Sequence, residues 1–444
     1  MRSLIAEPVT ADEFALLVEG CGPFGAAPVL AVAVSGGADS LCLAWLTRRW
    51  ALDRSATVEA VVVDHGLRAA AAAEAERTTR TLEAFGVPAT ILRLDLTAGR
   101  ELAARARRAR KAAIAGHCAA RGIVDVLLGH HAGDQAETVA MRLLRGSGPS
   151  GLAAMPTVRE DRDVRWLRPL LRLASGRLRA TLRAAGLSWV DDPSNADPVF
   201  LRARLRTLRA DPGGDAPSSL RAVEAAATRG RARADAEYRA ADWLAEHATL
   251  HELGFAVLHR SDPPPEAMAA LVRAVGGHRY APSAAAIARW LRDPVATTFA
   301  GVAIGSAGRL GPGWLVTREV AAMAPPIAAR PGAVWDGRFR LRHGVQAGAT
   351  LGSADRVATP WPARIGRTLP CWHRSDGTAK LAHGGQVEWV AAAVCPASFA
   401  AVSQLLQSGG NTGDAEPLQP SYLRDTPKAG DCWPAARVAP WAEE

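Results

Sequence analysis

Val29-Leu30-Ala31-Val32-Ala33-Val34-Ser35-Gly36-Gly37-Ala38-Asp39-Ser40 is the stretch that decides the fold of this chain. Six apolar residues read as a buried strand, and a turn of small residues follows. Leu41-Cys42-Leu43-Ala44-Trp45-Leu46 then reads as a helix. Two glycines let the backbone curl so that successive N–H groups point into one concavity. The new helix adds its own unpaired donors and the positive end of its dipole. An anion cradle of pyrophosphate size is expected from Ser35, Gly36, Gly37, Ala38, Asp39 and Ser40. A Walker A loop would need a Gly-Lys-Ser/Thr ending, and there is no lysine here; the Gly-x-Gly-x-x-Gly fingerprint is absent too. An ordinary capped turn would share the glycines, but strand, turn and helix in this order favour a phosphate site.

Outward from this stretch, strands and helices alternate. Strand-like runs lie at Val29–Val34, Val58–Val63, Thr90–Leu94 and Val124–Leu128, and helical stretches at Leu41–Trp50, Ala69–Phe85, Glu101–Arg121 and Asp134–Leu144. Gly86 and Gly122 stand where two of these helices should stop. The alternation predicts an α/β, doubly wound parallel sheet, with ligands at the carboxyl ends of its strands. Asp64-His65-Gly66 and Gly129-His130-His131 fall at such ends, like the glycine turn. Asp211-Pro212-Gly213-Gly214-Asp215-Ala216-Pro217 reads as a linker to a mainly helical domain. That domain has a long helix at Ser219–His247, shorter ones at Pro264–Val275 and Pro282–Leu291, and a hairpin of Thr298–Ile304 with Trp314–Arg318. Pro325-Pro326 and Arg330-Pro331-Gly332 mark a second boundary before a β-leaning, Gly/Pro-rich remainder. The expected domains are therefore 1–210, 211–324 and 325–444.

His130-His131-Ala132-Gly133-Asp134-Gln135-Ala136-Glu137-Thr138 follows a strand and opens a helix. Taken alone, Asp134 in a first helical turn is an ordinary dipole-stabilised cap. It gains meaning because Asp39 and Asp134 should share the carboxyl edge of one sheet. Two carboxylates beside a triphosphate are what Mg²⁺ asks of a protein. His130 or His131 is placed to donate to an α-phosphate whose charge grows during in-line attack. Glu137 and Thr138 serve equally well as donors' partners within the helix and loop. On a helix, Arg107 and Arg110 share a face, being three apart; a solvated basic face would look the same.

The hexapeptide Ser35–Ser40 resembles the PP-loop of the ATP pyrophosphatase superfamily. Further blocks narrow the resemblance to the tRNA(Ile)-lysidine synthetase family. They are Asp64-His65-Gly66-Leu67-Arg68, Ala106-Arg107-Arg108-Ala109-Arg110, Gly129–Thr138, Leu144-Arg145-Gly146-Ser147-Gly148, Arg168-Pro169-Leu170 and Asp192-Pro193-Ser194-Asn195-Ala196-Asp197 with Phe200, Arg202 and Arg206. The likeness runs closely from residue 28 to about 206 and more loosely to the hairpin ending near Glu319.

It implies a ligase that forms a C–N bond. ATP adenylates a cytidine in the CAU anticodon of tRNA(Ile), and free L-lysine then displaces AMP to give lysidine. Adenylation with Mg²⁺ is implied at Asp39 and Asp134, with His130 and Arg107 as further catalytic groups. Nucleotide contacts are implied at Ser35–Ser40, His65, Gly129 and Arg110, and RNA contacts at Arg202 and Arg206. Two departures stand out: Lys111 where the family has tyrosine, and Ala203 where asparagine is common. The resemblance also places tRNA-binding domains after the catalytic one and leaves a homodimer open. A tRNA-thiolating enzyme and a small-molecule amidating ligase of the same superfamily are the alternatives.

Composition agrees with a polyanionic partner. The 444 residues carry a net charge of +9, and of 53 basic residues only Lys111, Lys380 and Lys428 are lysines. No apolar run reaches the length of a membrane helix, so no membrane partner is expected. Six widely spaced cysteines without a Cys-x-x-Cys pair point to a reducing compartment, with cytoplasm as the expectation.

Overall fold

The computed structural model describes residues 6–66, 71–96, 99, 102–161, 163–190, 204–205, 211, 213–278, 280–282, 284–342, 348–355, 357–382 and 386–390. They form two compact units, the first ending at Ala234 and the second starting at Asp235.

The first unit is built on strands β1 (Val29–Val34), β2 (Thr57–Asp64), β3 (Ala89–Arg93), β4 (Asp125–Leu128), β5 (Val158–Glu160) and β6 (Arg165–Leu167). Their order is β3-β2-β1-β4-β6-β5, parallel except for β5, which runs antiparallel to β6. Helices α1 (Ala11–Glu19), α2 (Ala38–Leu52), α3 (Ala71–Ala84), α4 (Leu102–Ala120), α5 (Ala132–Leu144), α6 (Pro149–Leu152) and α7 (Ser175–Ala184) accompany it, and α8 (Pro217–His247) begins in this unit. All four expected strands and their helices are present to within a few residues. Strand β1 is apolar at every position because both faces are covered. Leu30, Val32 and Val34 pack toward Phe14, Leu43 and Leu182, whereas Ala31 lies in the opposite core with Ile114, Cys118 and Trp166. The crossover from β1 leads to β2 on one side, and the crossover from β3 carries the chain back past β1 to β4 on its other side. The crevice of this sheet therefore opens between the carboxyl ends of β1 and β4. At the other end of β4, Asp125 and Arg165 sit opposite each other in register and form a fully buried ion pair at 2.5 Å.

In the second unit, β7 (Ala248–His251), β8 (Phe255–Leu258), β9 (Thr297–Phe299), β10 (Val302–Ser306) and β11 (Trp314–Arg318) make an antiparallel sheet ordered β7-β8-β11-β10-β9. Helices α9 (Pro265–Gly276) and α10 (Ala284–Arg292) cover it through Met268, Leu271, Val275 and Ile287. The run expected as one strand over Thr298–Ile304 is two. Ala300 and Gly301, with φ of 50° and 63°, turn the chain back after Phe299. Alanine carries no turn signal, which is why the break was not legible.

Two small sheets follow, β12 (Ile327–Ala328), β15 (Thr350–Ser353), β16 (Pro370–His373) and β17 (Ala379–Leu381) in one, and β13 (Val334–Trp335), β14 (Phe339–Leu341) and β18 (Val387–Trp389) in the other. The β-leaning character expected after residue 325 is thus seen as far as Trp389. Between β13 and β14 the buried Asp336 carboxylate accepts hydrogen bonds from Arg318 at 3.0 Å and Arg338 at 2.7 Å. It is a buried charge neutralised on two sides.

Candidate active site

The turn after β1 is shaped by contacts that leave no room for larger residues. Gly36 has φ 83°, and a Cβ there would stand 2.6 Å from the Thr78 Oγ1 of α3. The Ser40 hydroxyl accepts the Ser35 N–H at 3.1 Å and donates to the Gly37 carbonyl at 3.0 Å, tying the turn to the first turn of α2. The second motif approaches closely. A Cβ on Gly129, just past β4, would lie 3.0 Å from the Ser40 N and Cα atoms. The glycine at 129 is therefore what lets the β4 end and the phosphate turn sit side by side.

Across this junction the structure brings Asp39, His131 and Asp134 together. His131 caps α5, and its Nδ1 accepts the Gly133 N–H at 3.0 Å. A neutral ring with Nδ1 accepting carries its proton on Nε2. That Nε2 lies 3.7 Å from an Asp39 oxygen and 3.7 Å from an Asp134 oxygen. Asp134 also accepts the His131 N–H at 3.2 Å, closing a reciprocal cap. The other Asp39 oxygen accepts the Ser175 hydroxyl at 2.9 Å. Of the two histidines named from the sequence, His131 faces both carboxylates; His130 is the half-buried residue between it and Gly129. Glu137 is buried one turn further along α5, and Thr138 donates to the Asp134 carbonyl at 2.8 Å.

Whether these residues suit a divalent ion follows from their donors. Among the described residues no cage of three or more His, Cys, Asp or Glu side chains is placed to hold a metal. Two carboxylates converging beside a phosphate turn are hard oxygen donors and leave the remaining positions to phosphate oxygens and water. That set fits Mg²⁺ held through a bound triphosphate.

The arginines of α4 serve different sectors. The half-buried Arg110 acts on His65, which follows β2. Burial first, and the Arg110 charge second, hold that imidazole below its ordinary value against the opposing pull of Asp64. Among the described residues His65 Nδ1 is buried without a hydrogen-bond partner, a polar atom suited to a ligand. Arg107 is exposed, and its charge bears instead on Arg168 beyond β6. Burial, then Arg159 and Arg107, bring the Arg168 guanidinium down to about 10. Lys111, the departure on the same helix, is engaged elsewhere. It pairs with Asp161, which also accepts Trp166 Nε1 at 2.7 Å, and its ammonium lies 4.8 Å from the Trp166 ring centroid. Leu67, Arg68, the 192–197 block, Phe200, Arg202, Ala203 and Arg206 lie outside the described residues.

A family model described as a PP-loop domain matches residues 13–209. The tRNA(Ile)-lysidine synthase of Rhodopseudomonas palustris is 47% identical over 210 residues, covering 45% of this chain and 60% of that protein. The enzyme of the same name from Hyphomonas neptunium is 38% identical, covering 62% of this chain and 76% of its own length. That of Rhizobium meliloti is 33% identical over 364 residues, 75% of this chain and 77% of its own. This chain belongs to the tRNA(Ile)-lysidine synthase family. It spans less than two thirds of the length of the first relatives, those from Rhodopseudomonas and Bradyrhizobium, which it matches over 56–60%.

Within the tRNA(Ile)-lysidine synthase frame, two site features were not read from the sequence. One is Ser175 on Asp39: a serine opening a helix looks like any other capping residue. The other is the approach of the 211–217 segment. Its Gly213 carbonyl accepts the Ser175 N–H at 3.1 Å, and Gly214 packs so closely on Ala132 and Gly133 that a side chain would overlap them. Cys21, Cys42 and Cys118 are buried, and burial pushes each thiol up to about 12. They are core side chains, not nucleophiles.

Proposed function

We propose that this chain ligates L-lysine to C2 of the first anticodon cytidine of tRNA(Ile) bearing CAU, spending ATP to AMP and pyrophosphate. The observation that carries the reading is the convergence of Asp39, from the PP-loop, and Asp134, from the His-His block, on His131 Nε2. The turn Ser35–Ser40 and the N-terminus of α2 would cradle the triphosphate, with Gly129 keeping β4 out of its way. His65 and Arg110 line the neighbouring strand end and would contact the nucleotide. Asp39 and Asp134 would hold Mg²⁺, which supplies charge neutralisation on the phosphate oxygens.

In the first step the cytidine O2 attacks the α-phosphorus and pyrophosphate leaves. A proton on His131 Nε2, between the two carboxylates, would be available to the phosphate where charge grows; His130 and Arg110 would complete the cationic side, with Arg107 acting from the adjoining Arg168 sector. In the second step the neutral ε-amine of lysine attacks C2, and AMP departs with the C2 oxygen. Among the described residues, Cys21, Cys42 and Cys118 are buried with their thiols pushed up to about 12, which argues against these three serving sulfur transfer as the second step. Regions 211–324 and 325–444, together with Arg202 and Arg206, would grip the tRNA, consistent with the net charge of +9. A cytoplasmic location and a homodimer belong to the same proposal. Among the described residues no helix is long and apolar enough to cross a membrane.

The first step is testable alone. Pyrophosphate exchange into ATP should require the CAU transcript and proceed without lysine. Exchange that needs no RNA, or that any tRNA supports equally, would overturn the reading.

A further inference from the structure

Two residues at the entry to α7 touch the two carboxylate-bearing helices, one each. The Leu173 carbonyl accepts the N–H of Ala132, the first residue of α5, at 2.8 Å. Two residues on, the Ser175 hydroxyl donates to Asp39 Oδ1 of α2 at 2.9 Å. Ser175 is buried, and its own N–H is held by the Gly213 carbonyl at 3.1 Å. Its backbone is thus fixed from the far side, and its hydroxyl has a defined direction. A serine hydroxyl has one proton to give, and here it goes to one oxygen of Asp39. The remaining oxygen, Oδ2, lies 3.7 Å from His131 Nε2, the same atom that lies 3.7 Å from an Asp134 oxygen.

We infer that Ser175 is a positioning residue for the metal site: by occupying Asp39 Oδ1 it presents Oδ2 toward Asp134, at a spacing set by the Leu173–Ser175 strut between α2 and α5. The inference rests on Asp39 and Asp134 as the metal-holding pair. A hydrogen-bond partner that orients a ligating carboxylate in this way is worth about 10–100-fold in metal affinity when removed. Without it, the Asp39 side chain, 30% exposed, gains rotamers in which neither oxygen faces Asp134.

The test is direct Mn²⁺ binding to the full chain, read by the electron paramagnetic resonance of free Mn²⁺, with a non-hydrolysable α,β-methylene analogue of ATP present. Ser175→Ala should weaken Mn²⁺ binding about 10–100-fold, and Ser175→Thr, which keeps the hydroxyl, should restore most of it. Analogue binding without metal should be unchanged in both. A Ser175→Ala protein with a lowered unfolding temperature but wild-type Mn²⁺ affinity would overturn the inference, leaving the serine a fold-stabilising contact. Failure of Thr to rescue, at wild-type unfolding temperature, would overturn it as well. Asp39→Asn in the same assay separates the two levels. If it binds Mn²⁺ like the wild type, the metal reading itself fails; if it loses Mn²⁺ while Ser175→Ala does not, only the role of Ser175 fails.

Discussion

Replacing Gly36 by alanine perturbs the phosphate turn in two separable ways. The residue has φ 83°, a conformation that costs an L side chain about 1–2 kcal/mol. Its new Cβ would also sit 2.6 Å from Thr78 Oγ1, a hydroxyl that donates to the Glu74 carbonyl at 2.8 Å. Thr78 is buried, so it can escape only by leaving its rotamer and that bond, at about 0.5–1.5 kcal/mol. Gly36→Ala should therefore cost about 2–3 kcal/mol in urea unfolding and abolish pyrophosphate exchange, because the loop N–H groups move with the backbone. Thr78→Ala alone should cost about 1 kcal/mol. The double variant should be about 1 kcal/mol more stable than the sum of the two, since the clash is gone while the φ strain stays. A strictly additive pair would refute the contact. A Gly36→Ala protein within about 0.5 kcal/mol of wild type would refute the left-handed turn itself.

Asp134→Asn should abolish adenylate formation while the Kd for tRNA, measured by filter binding, changes less than about threefold; unchanged turnover would remove Asp134 from the site. Lys111→Met should lower stability by about 1–2 kcal/mol through loss of the Asp161 pair and the Trp166 contact. Its kcat for exchange should stay near wild type, so a large loss of kcat would place Lys111 in the chemistry after all. His251 is stacked on Phe255 with ring centroids 4.6 Å apart, its Nδ1 accepts the Leu253 N–H at 3.1 Å, and burial pushes its pKa down to about 4. The unfolded chain takes up this proton below about pH 6.5, whereas the native chain does not until about 4. Stability should therefore fall with pH across this window, by about 2 kcal/mol between pH 7 and 5. His251→Phe should flatten that slope in urea titrations at the two pH values, and an unaltered slope would assign it to other groups.

Much of the first unit was legible because its signals are local. A run such as Val29–Val34, apolar at every position and followed by a glycine turn, reads as a strand buried on both faces, and Gly36 in that turn takes the positive φ that the turn requires. The same locality explains what was missed. Strands β5 and β6 are three residues each and depend on pairing, β6 with β4 and β5 with β6, not on a pattern of their own. Asp211–Pro217 has the composition of a free linker, yet Gly213 and Gly214 are used for close packing on α5 and α7, a distinction that only tertiary contact makes. Neighbouring His130 and His131 are equivalent in sequence. The acceptance of the Gly133 N–H by His131 Nδ1 is what folds that ring inward. Ser175 illustrates the limit most plainly: its partner Asp39 is 136 residues away.

In the proposed reaction, the carboxylate pair beside the PP-loop activates an RNA base for attack by lysine. Radiolabelled lysine, ATP and a tRNA(Ile) transcript with a CAU anticodon test it directly. Label should appear stoichiometrically in the RNA, depend on ATP and be lost in Asp39→Asn. A transcript that stays unlabelled while ATP is split and sulfur or ammonia is transferred would contradict it.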